Sequence, residues 1–273
     1  MTLPSIIQPT RGLARPDLHA LWQFRELLYF LVWRDVKVRY KQTALGAAWA
    51  LCQPLMQMVV LTLVFGTFAR LPSDGYPYAA FVYAGLVPWT YLSTAVAAAS
   101  TSVVAEQAIL TKVWFPRLLL PLAAIVRPAV DFALSLAAAV VLLAWYGIHP
   151  AARLLELPAW LTLAAATAVG LGLWLSALHV RFRDVQHVIP LLLQVWLFAS
   201  PVAYPVSLVP ERWRWLYGLN PAAQVIEGMR GALLNKPNLI MADLPACVAL
   251  VSVTLLAGAL FFRSIERTFA DVV

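Results

Sequence analysis

The chain has 273 residues, of which 62% are apolar and only 12% charged, and its mean hydropathy is +0.78. Soluble domains are nearer half apolar and a quarter charged, so the composition excludes a water-soluble globule and points to one integral membrane domain. The net charge of +7 is not a nucleic-acid footprint, because the basic residues lie between apolar runs and not on one patch.

Residues 1–20 carry Pro4, Pro9 and Pro16 and read as a polar leader. Arg11, Arg15, Asp17, Arg25 and Glu26 interrupt this region, which excludes a signal peptide. From Leu21 the pattern becomes helical. Leu21, Phe24, Leu27, Leu28, Leu31 and Val32 fall toward one side, with Arg25, Arg34, Lys37 and Lys41 on the others. The segment 21–41 therefore reads as an amphipathic helix in a membrane interface, the alternative being a helix packed on a partner.

Six apolar runs follow: Ala44–Ala69, Tyr76–Ala105, Leu118–Tyr146, Leu157–Val180, Val185–Tyr204 and Leu244–Phe262. Each is long enough for a helix across ~30 Å of hydrocarbon. The expected fold is an all-α integral membrane protein with six transmembrane helices in a single domain, 21–273, with both termini on one side. Lys and Arg in the links give the orientation. With the termini cytoplasmic, the inner segments hold about twice as many cations as the outer ones, led by the cluster Arg34, Lys37, Arg39 and Lys41. The small-residue stripes Thr94, Ala98, Ser102 and Ala164, Ala168, Gly172, Ser176 mark close helix packing.

Two links stand out. The first, 106–117 (EQAILTKVWFPR), is short, amphipathic and cytoplasmic. Ile109, Val113 and Trp114 fall together, with Glu106, Lys112 and Arg117 toward water. It reads as an elbow between spans or a contact for a cytoplasmic partner. The second, 200–238, is rich in Pro and Trp and breaks into pieces too short to span. Asn220 is an N-cap and Pro221 suits the first helical turn. Ala222, Val225, Ile226, Met229 and Leu233 keep helical spacing until Lys236-Pro237 ends the helix. About fourteen residues reach only ~21 Å, which predicts a lid or re-entrant outer hairpin.

Catalytic constellations are scarce. No glycine precedes a lysine, so the P-loop pattern is absent. His19, His149, His179 and His187 have no partners at metal-ligand spacing, and His179 and His187 read as part of a solvated turn around Arg181, Arg183 and Asp184. Cys52 and Cys247 lie inside apolar runs as small hydrophobes. Arg127 and Asp131, four residues apart within the third run, are expected to pair, either structurally or beside a transport path. Trp213, Trp215 and Tyr217 suit an outer aromatic belt, and Trp33 and Trp49 an inner one. Trp89, Tyr91, Trp196, Phe198 and Tyr204 suit either belt packing or a path for a glycan.

The run Arg39-Tyr40-Lys41, continuing through Gly46 to Trp49 with Pro54 beyond, resembles the N-terminal signature of ABC-2-type permeases that export bacterial polysaccharides. So do Lys112, Trp114, Phe115, Pro116 and Arg117, followed by Pro121 and Val130-Asp131-Phe132. Tyr204 and Pro205, Asn220 and Pro221, and Glu227 with Arg230 complete the pattern, which is nearest to O-antigen and teichoic-acid exporters. Arg127 lies outside it. The resemblance implies a homodimer of six-span subunits in the bacterial inner membrane, bound to two copies of an ATP-binding subunit. That subunit would hold ATP and Mg, with no cofactor in this chain. The implied substrate is an undecaprenyl-diphosphate-linked polysaccharide. The 106–117 link would be the coupling helix, with 181–187 a lesser contact, and 200–238 the outer gate. Rival readings are a permease for capsule, drug or lipid, and a membrane enzyme such as a glycolipid transferase, for which only Asp131 is candidate material.

Overall fold

Hydrocarbon offers no water to unpaired N–H and C=O groups, and helices satisfy them within the segment. The structure, a computed structural model, describes residues 18–41, 48–110, 112–150 and 152–266, and every regular element among them is helical. Most of the polar leader and Gly46 lie outside the described residues. The helices are α1 (Leu18–Gln23), α2 (Arg25–Lys41), α3 (Ala48–Leu61, continued by a π-helical stretch Thr62–Phe68), α4 (Tyr78–Ala105), α5 (Gln107–Leu110) and α6 (Leu119–Trp145). They continue with α7 (Leu157–Arg181), α8 (Val185–Phe198), α9 (Glu211–Leu219), α10 (Pro221–Leu234) and α11 (Leu244–Ile265).

Five of these are long and apolar enough to cross a membrane: α3 with its π-helical end, α4, α6, α7 with the 3-10 turn before it, and α11. The run expected as the fifth full span is shorter. Helix α8 stops at Phe198 after 14 residues, about 21 Å of rise. Pro201 and Pro205 account for the stop, since a residue before proline is driven out of the helical region.

Contacts define two ends of the bundle. At one, Tyr78 Oη donates to the Ala203 carbonyl at 2.5 Å, and Arg153 Nη1 to the Lys236 carbonyl at 3.0 Å. At the other, Arg34 reaches Glu106, and the Arg117 amide donates to Glu266 Oε1 at 3.1 Å. Helix α7 leaves the first end, and α8 with the turns after Phe198 brings the chain back to it.

Helix α4 is the axis. Its first fifteen residues are buried nearly all round, between α6, α7 and α10. The predicted stripe on α7 is a packing seam, with Ala164, Ala168 and Ser176 fully buried. A Cβ at Gly172 would collide with Ala99 of α4. The α4 side of the seam lies one position over from the expected stripe, because Ala98 and Ser102 face a cavity beside α2.

The 21–41 segment is divided at Phe24 into α1 and α2. Its predicted apolar side is used, but against protein. Leu31 is buried with Phe115, Leu119, Leu120 and Ala123, and Leu27, Leu28 and Val32 pack around them. Further along, Arg39 reaches Asp131 of α6 at 2.8 Å. Helix α2 thus lies alongside α6 over roughly 18 Å of its rise. The opposite side exposes Tyr29, Phe30 and Trp33.

Gly172→Leu forces α4 and α7 apart. A lowered thermal unfolding temperature in detergent, corresponding to about 1–3 kcal/mol of overpacking strain, is the expected outcome. Thr162→Leu on exposed α7 surface should leave the midpoint unchanged.

Candidate functional site

Helix α10 starts where the Asn220 cap predicts and ends at Leu234, just short of Lys236-Pro237. Asn220 Oδ1 accepts from the Ala222 amide at 3.0 Å, and Asn235 closes α10 in the left-handed conformation at φ 60°. That cap turns the chain so that Lys236 points back along the helix. Its amide donates to the Gly231 carbonyl at 3.1 Å. Asn220 also accepts from Trp196 Nε1 at 2.9 Å and donates to Ala199 and Ser200, so one amide ties the end of α8 to the start of α10. Gln224 adds bonds to the carbonyls of Gly218 and Ile240.

All of α10 after Pro221 is buried, including two charges. Arg230 is 0% exposed and Glu227 1%. Their side chains meet at 2.5 Å, three residues apart on one face. Arg230 Nη2 donates to the Val202 carbonyl at 2.9 Å, and its guanidinium lies 3.9 Å from the Phe81 ring centre. Gly85 makes the room, since a Cβ there would strike Arg230. Lys236 Nζ sits 3.6 Å from the second Glu227 oxygen and 2.5 Å from Asp74 Oδ2. Asp74 in turn accepts from Ser207 Oγ at 2.7 Å. Its carboxylate is aimed by a turn in which Asp74 and Gly75 both have positive φ, 51° and 86°, a conformation that Asp-Gly tolerates well. Two anions and two cations therefore clasp α10, its exit, the 70–77 link and the Val206–Leu208 turn together.

Burial pushes the Asp74 carboxyl up, but Lys236 and Ser207 outweigh it and hold the group below the usual carboxylate range. Asp74, Lys236 and Ser207 were not singled out as a site from sequence. The available signal was an Asp-Gly turn, Asp74-Gly75, between two apolar runs.

The remaining aromatics divide by burial. Trp89 and Tyr91 are inside the subunit, packed edge-on against Trp196 and Phe132. Trp196 is half-buried and Phe198 exposed. Tyr204 Oη donates to the Phe198 carbonyl and meets the Tyr217 hydroxyl, both at 2.9 Å. Trp213 and Trp215 of α9 are exposed.

At the opposite end, the 106–117 link departs from its helical expectation. Among its described residues only Gln107–Leu110 is helical, and helical spacing does not govern Lys112–Arg117. Ile109 and Phe115 turn inward toward α2 and α6, Phe115 being 4% exposed. Lys112, Val113 and Trp114 project outward, Trp114 at 68% exposure. Glu106 is engaged by Arg34 and Arg117 by Glu266, so neither is left to water. Trp114 rests edge-on against Phe24, 6.0 Å between ring centres.

The expected Arg127–Asp131 pair does not form. Asp131 is taken by Arg39 at 2.8 Å and by Tyr40 Oη at 2.5 Å. Burial first, and then the bond to Asp131, push the Tyr40 phenol up to about 12, so it stays a neutral donor. Lys41 and Trp49 are exposed. His179 is not in a solvated turn. Helix α7 runs on to Arg181, which places His179 in its last turn, buried, with Nδ1 3.1 Å from the Ser100 carbonyl of α4.

Removing Glu227 leaves Arg230 and Lys236 facing each other. Glu227→Ala should cost about 3–5 kcal/mol of stability, read by thermal unfolding in detergent. Asp74→Asn should cost less, about 1–3 kcal/mol. Because the Asp74 pKa is lowered on folding, its contribution is complete above the ordinary value of ~3.9 and is lost as pH falls through the folded value. The difference between wild type and Asp74→Asn should be flat from pH 5 to 8 and shrink in strong acid.

Comparison with known proteins agrees with this architecture. The ABC-2 type transporter family matches residues 26–234. The chain is 33% identical over 254 residues to the O-antigen export system permease protein RfbA of Myxococcus xanthus, covering 92% of this chain and 96% of that one. It is 26% identical over 211 residues to the RfbA permease of Klebsiella pneumoniae, covering 77% and 81%. It is also 25% identical over 242 residues to the polysialic acid transport protein KpsM of Escherichia coli, covering 86% and 91%. The matched region takes in nearly all of α2, the elbow, Asp74, Glu227 and Arg230 of the clasp and all of α10, and the chain belongs to the ABC-2 type transporter family.

Proposed function

We propose that this chain is the permease subunit of an exporter that carries an undecaprenyl-diphosphate-linked polysaccharide, of O-antigen type, across the bacterial inner membrane. The observation that carries the proposal is the likeness to an O-antigen permease along almost the whole chain. Work is supplied by a separate ATP-binding subunit, which holds ATP and Mg. Two permease chains and two ATP-binding chains form the working unit. A second reading, export of an acidic capsule glycan, is favoured by the likeness to the polysialic acid transport protein.

In this proposal the chain crosses the membrane six times, α8 and the turns to Pro205 making the fifth crossing, with both termini in the cytoplasm. The elbow end faces the cytoplasm and the Asp74 end the outside, in keeping with the excess of Lys and Arg around α2. Helix α2 is inclined into the cytoplasmic leaflet, where its exposed Tyr29, Phe30 and Trp33 meet lipid. Helices α9 and α10 form a re-entrant outer gate, with α10 anchored to α4 and the 70–77 link by the Glu227–Arg230–Lys236–Asp74 clasp. The ATP-binding subunit docks on the outward-facing Lys112, Val113 and Trp114. Phe115, Pro116 and Arg117 transmit the push inward, because Phe115 is seated against α2 and α6. Phe198 and the free edge of Trp196 line the glycan path.

Reconstitution with the ATP-binding subunit in proteoliposomes should give ATP-dependent transfer of a polyprenyl-diphosphate glycan. ATP hydrolysis without transfer of any such glycan would sink the export proposal, and preference for a polysialic-type chain would select the second reading. Lys112→Ala with Trp114→Ala should weaken ATPase binding and reduce export at least tenfold while membrane insertion is retained. Undiminished export by that double variant would remove the docking surface from the elbow.

A further inference from the structure

A cavity of about 540 Å3 opens between α2, the last turns of α4 and the first turns of α6. It belongs neither to the clasp nor to the outward face of the elbow. Its wall carries three cations, Arg34, Arg39 and Arg127, with two carboxylates, Asp35 and Glu106, and small α4 residues such as Ala98 and Thr101 leave the space open.

Two of the three arginines are engaged. Arg34 holds Asp35 at 2.9 Å and also Glu106, and Arg39 holds Asp131 at 2.8 Å. Arg127 has no ion pair or hydrogen bond among the described residues, and its Nε is shut off from solvent. The carboxylates within the neighbourhood are already faced by the other two arginines. Lys37 and Lys41 add exposed cations on the same α2. An arginine within an apolar helix costs roughly 2.5–3.5 kcal/mol on insertion scales, and no carboxylate among the described residues pairs with it.

Position narrows the missing anion. Arg127 lies eight residues past the start of α6, about 12 Å along its axis. Its long stem can carry the guanidinium back toward the elbow end. That depth is where lipid headgroups meet the acyl region. A guanidinium fork matches phosphate oxygens in pairs, and basic pockets between membrane helices on the cytoplasmic side are suited to lipid headgroups. We infer that this cavity binds the phosphate headgroup of a lipid from the leaflet at the elbow end, with Arg127 as the principal ligand and Arg34 and Arg39 beside it.

The chemistry is shared by two sources, the diphosphate of a polyprenyl carrier and the single phosphate of an anionic bilayer lipid. The inference rests on the export proposal only for which of them arrives. Native mass spectrometry of the full chain in detergent, titrated with undecaprenyl diphosphate or with phosphatidylglycerol, separates them. One lipid per chain is expected, with affinity about tenfold lower in Arg127→Leu, the loss of one charge-assisted contact. Arg127→Lys should recover part of it. Ala98→Leu fills the cavity without changing charge and should weaken binding likewise, while Arg212→Gln at the opposite end should not. Tighter retention of undecaprenyl diphosphate assigns the pocket to the carrier, and equal or tighter retention of phosphatidylglycerol assigns it to bilayer lipid. Wild-type binding of both lipids by Arg127→Leu and Ala98→Leu overturns the site, whatever export does. Failed glycan transfer with lipid binding intact counts against the export proposal and leaves the site standing.

Discussion

A fully buried guanidinium dictates the arrangement of one whole end of this protein. Arg230 has no access to solvent, and an ion in such a place must be met by an opposite charge and by enough acceptors. Glu227 supplies the charge and the Val202 carbonyl a further acceptor, with the Phe81 ring beneath. Glu227 has a second oxygen, which draws in Lys236, and Lys236 draws in Asp74. Each partner comes from a different piece of chain, so satisfying one charge fixes the 70–77 link, the exit of α10 and the approach to α9. Gly85 in α4 is small because the guanidinium occupies its side-chain space.

The other end is organised by different chemistry. There the contacts are a small apolar cluster around Leu31, Phe115 and Leu119, ringed by partly exposed ion pairs. Exposed pairs contribute little each, so the elbow is held chiefly by the seating of Phe115. Between the two ends lies the seam of small residues joining α4 and α7, close because Gly172 leaves its side-chain space to the Ala99 methyl. The elbow is seated on α2 and α6, and the α4 axis connects α6 to the clasp.

Local signals were legible in the sequence, and tertiary choices among polar groups were not. The caps of α10 are written in Asn220, Pro221 and Lys236-Pro237, and the structure places that helix at Pro221–Leu234. Apolar run length located α3, α4, α6, α7 and α11 to within a few residues. Arg127 and Asp131 have the spacing of a helical pair, yet helical neighbours compete with groups from elsewhere. Arg39 and Tyr40 arrive on α2 and take the carboxylate. The elbow was misjudged in facing because helical periodicity was carried past Leu110, where the helix stops. The charged residues after His179 suggest a turn, but α7 continues through it and buries it against α4. The clasp was half visible in Glu227 and Arg230, but its closure through Asp74 joins residues more than 150 positions apart in sequence, which no local pattern reveals.

Complete burial of α10 constrains how the Asp74 end can move. A flap hinged at Asn220 would have to swing Glu227 and Arg230 into lipid, at several kcal/mol per uncompensated ion. It would also tear Gly228 from the Trp160 ring against which it is set. The short helix therefore travels with α4 and α7 as part of one rigid body. On the proposed export reading, widening at this end would be a sliding of whole bodies past one another, of the shear kind, while α9 keeps its tryptophans exposed.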